Sequence, residues 1–461
     1  MRIPLDAALA ATGATLLDGD RAPASLRIGT DTRSLESGDA FLALRGENFD
    51  GHDFAGEAVR RGAAVLVVDD AAARVAGVAT LVVARTDRAY LQLARLAAQM
   101  FDGTIVAITG SSGKTTTKDF LADLCRVRYR VAASVKNENN EIGVGKLLLS
   151  LSNEEHDVAI AEMGARHYGD IAVLAEAAQP AVGILTNVAD AHVEIMGSRE
   201  RLAETKWALF SSGARAILNA DDEVSRQRAP SLPCPENTRW FVAVPGAAQL
   251  AAYAEVEPLA AVAGDDLLLV REGGATREFA IESTLPGLHN RANLAAAIAA
   301  AGALGIAPEE LVSTIATLRL PQGRYDRITI ESGLRLIFDA YNANASGMIA
   351  ALDAFAGEDA PRKIAVLASM AELGEEAQRL HERVGEHAAA AVDILLVSGD
   401  FASALARGAR RAGLDASRIV PVEDNSQAAA WLRANANGQD LVLLKGSRKY
   451  RMEEIVEELQ P

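Results

Sequence analysis

Cysteine and aromatic residues are scarce in this chain of 461 residues. It contains two cysteines, Cys125 and Cys234, and aromatic residues make up only 5% of the sequence. Two cysteines in a chain of this size do not make a disulfide scaffold, and they fit the reducing cytoplasm, where we expect the protein to reside. A core with few aromatic rings is built from aliphatic side chains. Alanine, valine and leucine dominate here, as is typical of helices packed on parallel sheets.

Long apolar runs and an excess of positive charge are also absent. No apolar run approaches the roughly 20 residues that span a bilayer. Asp6 interrupts the first segment, so we do not expect a signal peptide there. The formal net charge of −16 argues against general affinity for nucleic acids or anionic membranes. We therefore expect no nucleic-acid partner and no membrane span, and an anionic substrate would need a locally basic pocket.

The length and the strand–helix pattern predict an α/β protein of three domains. Residues 1–84 mix short strands with turn residues, which indicates a small mixed α/β N-terminal domain. Residues 85–322 alternate strands and helices, which predicts a central P-loop ATPase-like parallel sheet, with a small antiparallel insertion within 238–282. Residues 323–461 alternate again and predict a Rossmann-like C-terminal domain. This last unit has no GxGxxG turn after its first strand, so a dinucleotide cofactor is not supported.

The segment TIVAITGSSGKTTTKD, residues 104–119, has the clearest functional pattern. A β-branched apolar run enters a glycine-punctuated turn that leads into a predicted helix. Backbone N–H groups of such a loop surround phosphate oxygens, and the helix N-terminus favours negative charge. Lys114 would reach a terminal phosphate, and the hydroxyl of Thr115 or Thr116 would reach Mg²⁺. The chain is therefore predicted to use a nucleoside triphosphate.

This phosphate loop is shorter than a standard Walker A loop. The standard pattern would place a glycine where Ile108 stands, and the first glycine is Gly110. The residues that we expect to bind the phosphates and the nearby metal are Gly110, Ser111, Ser112, Gly113, Lys114, Thr115 and Thr116.

Three more side chains of the central unit are candidates, each with a plainer alternative. Glu162 ends the run VAIAEM, where a carboxylate could hold Mg²⁺ or could belong to a surface loop. A loop histidine such as His192 is more often structural than a ligand, although Asn187 and Asp190 beside it favour a metal or phosphate site. Lys206 lies on a predicted helix, and taken alone it is best interpreted as a solvated lysine.

Asparagines are concentrated in KNENNE, residues 136–141, which follows another strand. Asn137, Asn139 and Asn140 could hydrogen-bond a substrate without adding charge, or they could simply form a turn.

Polar residues of the C-terminal unit follow its strands. Asp339, Asn342 and Asn344 come just after the first strand, and Lys445 and Arg448 stand at the end of the last. Because α/β sheets bind ligands at the carboxyl ends of their strands, we expect these side chains at a substrate site. Arg324, near the junction with the central unit, could reach a phosphate across an interdomain cleft.

Taken in order, these motifs resemble those of the Mur ligase family. The phosphate loop TGSSGKTTTKD is followed by NENNEIGV, EMGARHYGDI, HNRANLAAA, DAYNAN and KGSR, so the resemblance extends over essentially the whole chain. DTRSLESGDAFLALRG followed by DGHDF is similar to the family's UDP-sugar-binding domain. One motif would be weak evidence, whereas the ordered set is strong.

The resemblance implies an ATP-dependent, ADP-forming ligase of peptidoglycan precursor synthesis. Its substrates would be UDP-N-acetylmuramoyl-tripeptide and D-alanyl-D-alanine, joined through an acyl phosphate, with ATP and Mg²⁺ as cofactors and a monomer as the expected state. The N-terminal domain would bind the UDP-sugar peptide, the central domain ATP, and the C-terminal domain the amine substrate while closing over ATP.

The resemblance also implies roles for single residues. Lys114 and Thr115 would bind ATP phosphates and Mg²⁺, and Glu162 and His192 would be metal ligands. Lys206 would be carbamylated, which means that CO₂ converts its neutral amine into a carboxylate that helps to place Mg²⁺. The residues implied as catalytic are Lys114, Lys206 and His192; those implied at the adenine, ribose and phosphates of the nucleotide are Asn290, Asn293, Arg324 and Asp339; those implied at the UDP-tripeptide are Arg33, Asp50, His52, Asn137, Asn139 and Asn140.

The chain departs from the family's usual sequence in the C-terminal unit, at Ala345, Gly347, Ala368 and Ser369. Three alternatives stay open. The first is the related ligase that adds the third amino acid, although the motif DNPR is absent and DAYNAN favours the dipeptide-adding type. The second is a P-loop kinase or ATPase of another class. The third is a non-catalytic protein that binds the UDP-sugar peptide.

Overall fold

The computed structural model describes residues 1–46, 49–189 and 196–460. Three multi-stranded sheets follow one another along the chain, each with helices packed on it. The predicted α/β class is therefore confirmed. The predicted boundaries after residues 84 and 322 each fall between two of these sheets, and they stay predictions.

The N-terminal part is small and mixed, as expected. Within residues 1–46 and 49–84 the strands are β1 (Ile3–Pro4), β2 (Thr15–Leu17), β3 (Ser25–Leu26), β4 (Ile28–Gly29), β5 (Ala40–Leu42), β6 (Val65–Val68) and β7 (Ala79–Val82), and the helices are α1 (Leu5–Thr12) and α2 (Ala55–Arg60). The order β2-β7-β6-β5-β4 forms one sheet, in which β2 runs antiparallel, and β1 pairs with β3.

The central part contains the largest sheet. Its strands are β8 (Thr104–Thr109), β9 (Val131–Ala133), β10 (Val158–Glu162), β11 (Val182–Leu185), β12 (Arg215–Asn219), β13 (Arg239–Val244), β14 (Leu259–Ala263), β15 (Leu267–Glu272) and β16 (Ala275–Ala280). The described helices are α3 (Thr86–Gln99), α4 (Lys114–Cys125), α5 (Glu141–Ser150), α6 (Asp170–Ala178), α7 (Arg199–Trp207), α8 (Glu223–Arg228), α9 (Leu288–Ala303) and α10 (Pro308–Ile315).

The strand order of this sheet is β16-β15-β14-β13-β12-β11-β8-β10-β9. The strands from β8 to β14 are parallel, and only β15 and β16 are antiparallel. The expectation of a separate antiparallel insertion within 238–282 is therefore wrong in part. β13 and β14 continue the parallel sheet because their buried apolar runs pack beneath α9.

Apolar side chains cover both faces of the central sheet. Strand β8 is buried from Ile105 to Thr109, as expected for a parallel strand with helices on either side. The alanine-rich helix α9 buries an unbroken run from Asn293 to Ala301, since alanine lets a helix approach a sheet closely. This tight packing fixes the start of α9, at Leu288, next to the edge where β8 ends.

The C-terminal part has a second, mostly parallel sheet. Its strands are β17 (Asp326–Thr329), β18 (Arg335–Phe338), β19 (Arg362–Ala368), β20 (Ile394–Ser398), β21 (Ile419–Pro421) and β22 (Asp440–Lys445), and its helices are α11 (Ala345–Ala356), α12 (Ala377–Ala391), α13 (Ala402–Arg411), α14 (Asn425–Asn435) and α15 (Glu453–Leu459). The order is β17-β18-β22-β19-β20-β21, with β17 antiparallel. In the described ranges no helix has the length and apolar character needed to cross a membrane.

Candidate active site at the carboxyl edge of the central sheet

Strand β8 lies between β10 and β11, with the chain passing first to one side and then to the other. Such a switch point opens a crevice outside the carboxyl ends of the strands. The predicted phosphate loop follows β8, Glu162 is the last residue of β10, and Thr186 follows β11. The fold therefore brings together three segments that are distant in sequence.

The phosphate loop is held by the segment that follows β11. The Thr186 hydroxyl donates to the Ser112 carbonyl at 2.6 Å, and the Ser111 N–H donates to the Asn187 carbonyl at 3.0 Å. Gly110 has a φ of 152°, and a Cβ there would lie 1.8 Å from the Thr186 hydroxyl oxygen. Only glycine fits this position, so the short loop requires a glycine at 110.

The start of α4 meets the start of α9. Gly113 has a φ of 79°, and a Cβ there would lie 2.2 Å from Oδ1 of Asn293. The Thr117 hydroxyl donates to the same oxygen at 3.4 Å, and Asn293 Nδ2 donates to Asn290 Oδ1 at 3.4 Å. The two asparagines predicted at the nucleotide are thus buried beside the phosphate loop.

Lys114 is the first residue of α4, and its ammonium turns back over the loop. Nζ donates to the Gly110 carbonyl at 2.9 Å. Burial lowers the pKa of Lys114, the charge of Glu162 opposes that shift, and the charge of Arg324 adds to it. The lysine thus lies within electrostatic reach of both a carboxylate and a second cation.

Glu162 is buried, with only 1% of its surface exposed, so the alternative of a surface-loop glutamate is wrong. Asn139 Nδ2 donates to Oε1 at 2.8 Å, whereas Oε2 is buried and receives no hydrogen bond from the part of the chain that the structure describes. An unpaired carboxylate oxygen in such a place is costly unless a cation or a water completes it. Its chemistry therefore fits Mg²⁺, which prefers oxygen ligands.

Lys206 is buried on α7, with 2% of its surface exposed, so it is not a solvated lysine. Burial lowers the pKa of Lys206 well below its usual value, and the charge of Lys114 lowers it further. Among the residues that the structure describes, none gives this amine a hydrogen bond or an ion pair. Burial thus favours the uncharged form of this amine, which is the nucleophile that reaction with CO₂ requires.

His192, predicted as a catalytic residue and a metal ligand, lies outside the described residues, as does Asp190. Within the described ranges, no group of three or more histidine, cysteine, aspartate or glutamate side chains forms a metal site. Within the described ranges, the candidate ligands for a divalent cation at this edge are Glu162, a threonine hydroxyl at the start of α4 and a modified Lys206.

Asp339 follows β18 and is paired with Lys445, the last residue of β22. Lys445 Nζ donates to Asp339 Oδ2 at 2.8 Å and to the Asp339 carbonyl at 3.0 Å, and both side chains are largely buried. The Arg324 guanidinium lies over the Tyr341 ring, 4.9 Å from its centroid. Asp339 and Lys445 thus lie at the carboxyl ends of two adjacent parallel strands, as expected, and their roles stay predictions.

Asn344 links the two α/β sheets. Its Oδ1 accepts the Gly347 N–H at 2.7 Å and caps α11, and its Nδ2 donates to the Ser111 carbonyl of the phosphate loop at 3.4 Å. The departures from the family's sequence at Ala345 and Gly347 lie in the first turn of α11, which is formed and capped nevertheless.

The other predicted substrate residues make mostly local contacts. Arg33 pairs with Asp31, His52 Nδ1 bonds Asp50 at 2.6 Å while its Nε2 accepts the Asp69 N–H at 3.2 Å, and Asn140 caps α5. Asn342 Oδ1 accepts the Ala343 N–H, Arg448 pairs with Glu453, and Asn137 is exposed. Of the described side chains in this group, none contacts the phosphate loop, so their substrate roles stay predictions.

Sequence reasoning missed His289, which precedes the predicted Asn290. Burial lowers the pKa of His289 to about 4, opposed by the charge of Asp339, and the charges of Lys445 and Arg324 lower it further. This histidine of the central part therefore faces charges of the C-terminal part. Its position at the start of α9, directly before two candidate residues, was the available signal.

We expect His289 to make the folded protein less stable in mild acid. The unfolded chain takes up this proton below about pH 6.5, whereas the folded protein resists it down to about pH 4. The unfolded state thus binds more protons in that window, and stability falls as the pH falls through it. The free energy of unfolding in urea, measured at pH 7 and pH 5, should drop less in His289→Gln than in the unmodified protein. Equal drops would contradict this assignment.

Comparison with known families places matches along nearly the whole chain. A family model described as the Mur ligase middle domain matches residues 108–301, one described as the glutamate ligase domain of Mur ligases matches 323–448, and one described as the catalytic domain of the Mur ligase family matches 27–99.

Individual proteins are similar over the same extent. The UDP-N-acetylmuramoyl-tripeptide–D-alanyl-D-alanine ligase of Synechocystis sp. is 36% identical over 437 residues, covering 93% of this chain and 91% of that enzyme. The crystal structure of MurF from Acinetobacter baumannii superimposes with a TM-score of 0.85 at 27% identity, covering 100% of this chain and 99% of that one. The structure of the MurF ligase of Thermotoga maritima in complex with ADP superimposes with a TM-score of 0.79 at 27% identity, covering 94% of this chain and 97% of that one.

Proposed function

The chain belongs to the Mur ligase family, and we propose that it joins D-alanyl-D-alanine to UDP-N-acetylmuramoyl-tripeptide with ATP as the energy source. The product would be the UDP-linked pentapeptide precursor of peptidoglycan, made in the cytoplasm by a monomer. The observation that carries the proposal is the edge where a phosphate loop, a buried carboxylate and a buried lysine of lowered pKa meet. A protein that only bound the UDP-sugar peptide would have no use for this set.

We assign the nucleotide to the phosphate loop and to the asparagine pair of α9. N–H groups of the loop and the ammonium of Lys114 would bind the phosphates, and Thr115 would direct its hydroxyl to Mg²⁺. Asn290 and Asn293 would lie by the adenine, with Arg324 and Asp339 on the ribose and phosphate side.

We assign the metal to Thr115, Glu162, His192 and a carbamylated Lys206. Two observations support this assignment: no described residue hydrogen-bonds the buried Oε2 of Glu162, and burial lowers the pKa of Lys206. Bound Mg²⁺ would supply positive charge that offsets the repulsion between a substrate carboxylate and the phosphates of ATP.

The ligation requires that the substrate carboxylate approach the negatively charged phosphates of ATP, and that water be excluded from the site. The substrate carboxylate attacks the γ-phosphorus and displaces ADP, and the dipeptide amine then attacks the acyl carbon and displaces phosphate. Lys114 and the loop N–H groups would stabilise charge during the first step, where positioning and charge do most of the catalysis. Closure of the crevice would protect the acyl phosphate from hydrolysis.

We assign one substrate to each domain, with UDP-tripeptide on residues 1–84, ATP on 85–322 and the amine on 323–461. The hydrogen bond from Asn344 to Ser111 supports a C-terminal domain that closes on the phosphate loop. Asn342, Lys445 and Arg448 would face the incoming dipeptide, and Arg33, Asp50, His52, Asn137, Asn139 and Asn140 the UDP-tripeptide.

Phosphate release tests the proposal directly. ATP and Mg²⁺ are supplied with UDP-N-acetylmuramoyl-tripeptide, with D-alanyl-D-alanine, with both, or with neither. We expect release that needs both substrates and matches pentapeptide formation measured by mass spectrometry.

The remaining outcomes identify the alternatives. Release with neither substrate would indicate an ATPase of another class. Release when free amino acids replace the dipeptide, on a UDP-linked dipeptide acceptor, would indicate the ligase that adds the third residue. Binding of the UDP-sugar peptide without any release would indicate a binding protein.

A further inference from the structure

Lys118 is a buried lysine that the proposed chemistry does not use. It stands on α4, one turn after Lys114, and only 3% of its surface is exposed. A lysine is rarely buried to this degree unless its charge and its three N–H donors are satisfied. Its partners show which part of the site it holds.

The Lys118 ammonium has three acceptors. It donates to the Ser134 carbonyl at 2.8 Å and to the Lys136 carbonyl at 3.3 Å, and it pairs with Asp119 Oδ1 at 2.9 Å. Two of these acceptors belong to the backbone of the loop after β9. The Lys118 ammonium therefore links α4, the helix that starts at the phosphate loop, to residues 134–140, which form a second loop at the same edge.

That second loop in turn holds Glu162. The Ser134 hydroxyl accepts the Glu162 N–H at 3.0 Å, and Asn139 Nδ2 donates to Glu162 Oε1 at 2.8 Å. The Asn139 carbonyl also accepts the Gly164 N–H at 2.8 Å. The loop is therefore hydrogen-bonded to the backbone at Glu162 and two residues beyond it, as well as to the Glu162 carboxylate.

The loop needs an external tie because part of its backbone is unfavourable. Lys136 has a φ of 50°, a left-handed conformation that a residue with a Cβ rarely adopts. The Lys118 ammonium bonds the carbonyl of that same residue. It thus stabilises the turn that carries Asn139 back toward Glu162.

We propose that Lys118 is a positioning residue, which fixes the Glu162 carboxylate and the asparagine loop relative to the phosphate loop. It acts through the Ser134 and Lys136 carbonyls and then through Asn139. This inference rests on the proposed assignment of Glu162 to Mg²⁺ and of the asparagine loop to the UDP-tripeptide. Removal of the Lys118 ammonium would therefore weaken Mg²⁺ binding and UDP-tripeptide binding together.

The chain offers a matched control in Lys146. Its ammonium also bonds the second loop, at Glu138 Oε1 and 2.8 Å, but its side chain is 60% exposed. Lys118→Met and Lys146→Met each remove one positive charge that contacts this loop. Exposed pairs contribute little, so only the buried tie should matter.

Kinetics and nucleotide binding test the inference. In Lys118→Met we expect kcat to fall about tenfold or more, the KM for the UDP-tripeptide to rise at least about fivefold, and the KM for D-alanyl-D-alanine to stay within about twofold. The Mg²⁺ concentration for half-maximal binding of a fluorescent ADP should rise at least about threefold. In Lys146→Met all four quantities should stay within about twofold. Equal effects in the two variants, or a uniform loss of kcat alone in Lys118→Met, would overturn the proposal.

Asn139→Ala keeps the inference testable if Lys118→Met does not fold, as thermal unfolding would reveal. This variant removes the side-chain hydrogen bond between the loop and the Glu162 carboxylate, so it should raise the Mg²⁺ requirement of ADP binding as Lys118→Met does. Combined with a folded Lys118→Met, it should raise that requirement little further. Unchanged ADP binding and kinetics in Asn139→Ala would refute the proposed route. The ADP titration needs neither peptide substrate, so a failure of the proposed ligation in the unmodified protein would be seen separately.

Discussion

Lys206→Ala should lose ligation activity by about a hundredfold to a thousandfold, the usual cost of removing one group that stabilises charge in the reaction. The reason lies in the surroundings of this lysine. Its amine is buried, its pKa is well below the usual value, and the described residues offer it no partner. If the amine bonds to the carbon of CO₂ and releases a proton, the side chain then ends in a carboxylate that can bind Mg²⁺. Steady-state phosphate release with both substrates measures the loss.

Short carboxylates should restore part of this activity, because formate or acetate can occupy the space that the carbamate leaves. Lys114→Met is the matched control, since it removes the neighbouring lysine. The group lost there is an ammonium, and a carboxylate cannot replace a positive charge. Equal rescue of both variants would point to a general salt effect. Full activity in Lys206→Ala would refute the carbamate.

Local sequence patterns were sufficient to predict the phosphate loop. An apolar run before Gly110 and a helix after Gly113 are properties of neighbouring residues, and the structure confirms strand β8 and helix α4 at those places. The amphipathic pattern of residues 90–100 also predicts a helix, and helix α3 lies there, although it begins four residues earlier, at Thr86. Helix ends are set by capping and packing, so periodicity places them poorly.

Burial and strand direction could not be predicted from local pattern. Lys206 lies on a short helix of mostly polar residues, and only the tertiary fold buries it. β13 has the same alternation whether it runs parallel or antiparallel to its neighbours, which is why the expected insertion was wrong in part. Thr186 and Lys118 escaped notice because their partners, Ser112 and the Ser134 carbonyl, are specified by the fold and not by spacing.

Lys114→Met should reduce kcat by about a thousandfold or more, since cationic side chains on a transferring phosphoryl group are worth roughly 10³–10⁵ in rate. The ammonium now rests on the Gly110 carbonyl, at the centre of the loop whose N–H groups would bind phosphate. Methionine keeps the unbranched apolar part of the lysine side chain and removes the ammonium, with its charge and its hydrogen bond to Gly110. ADP binding should weaken much less than kcat, because the loop, the glycine conformations and the Asn293 contact remain.

This difference between binding and rate separates catalysis from simple attraction of an anion. If Lys114 merely attracted nucleotide, raising ATP would restore the rate, whereas a role in the transition state leaves kcat low at saturating ATP. Single-turnover phosphate release at saturating ATP makes the distinction. Lys363→Met is the control, because Lys363 bonds the Ala356 carbonyl near the amino end of β19, away from the crevice, and it should keep full activity. Recovery of the Lys114→Met rate at high ATP would contradict the catalytic assignment.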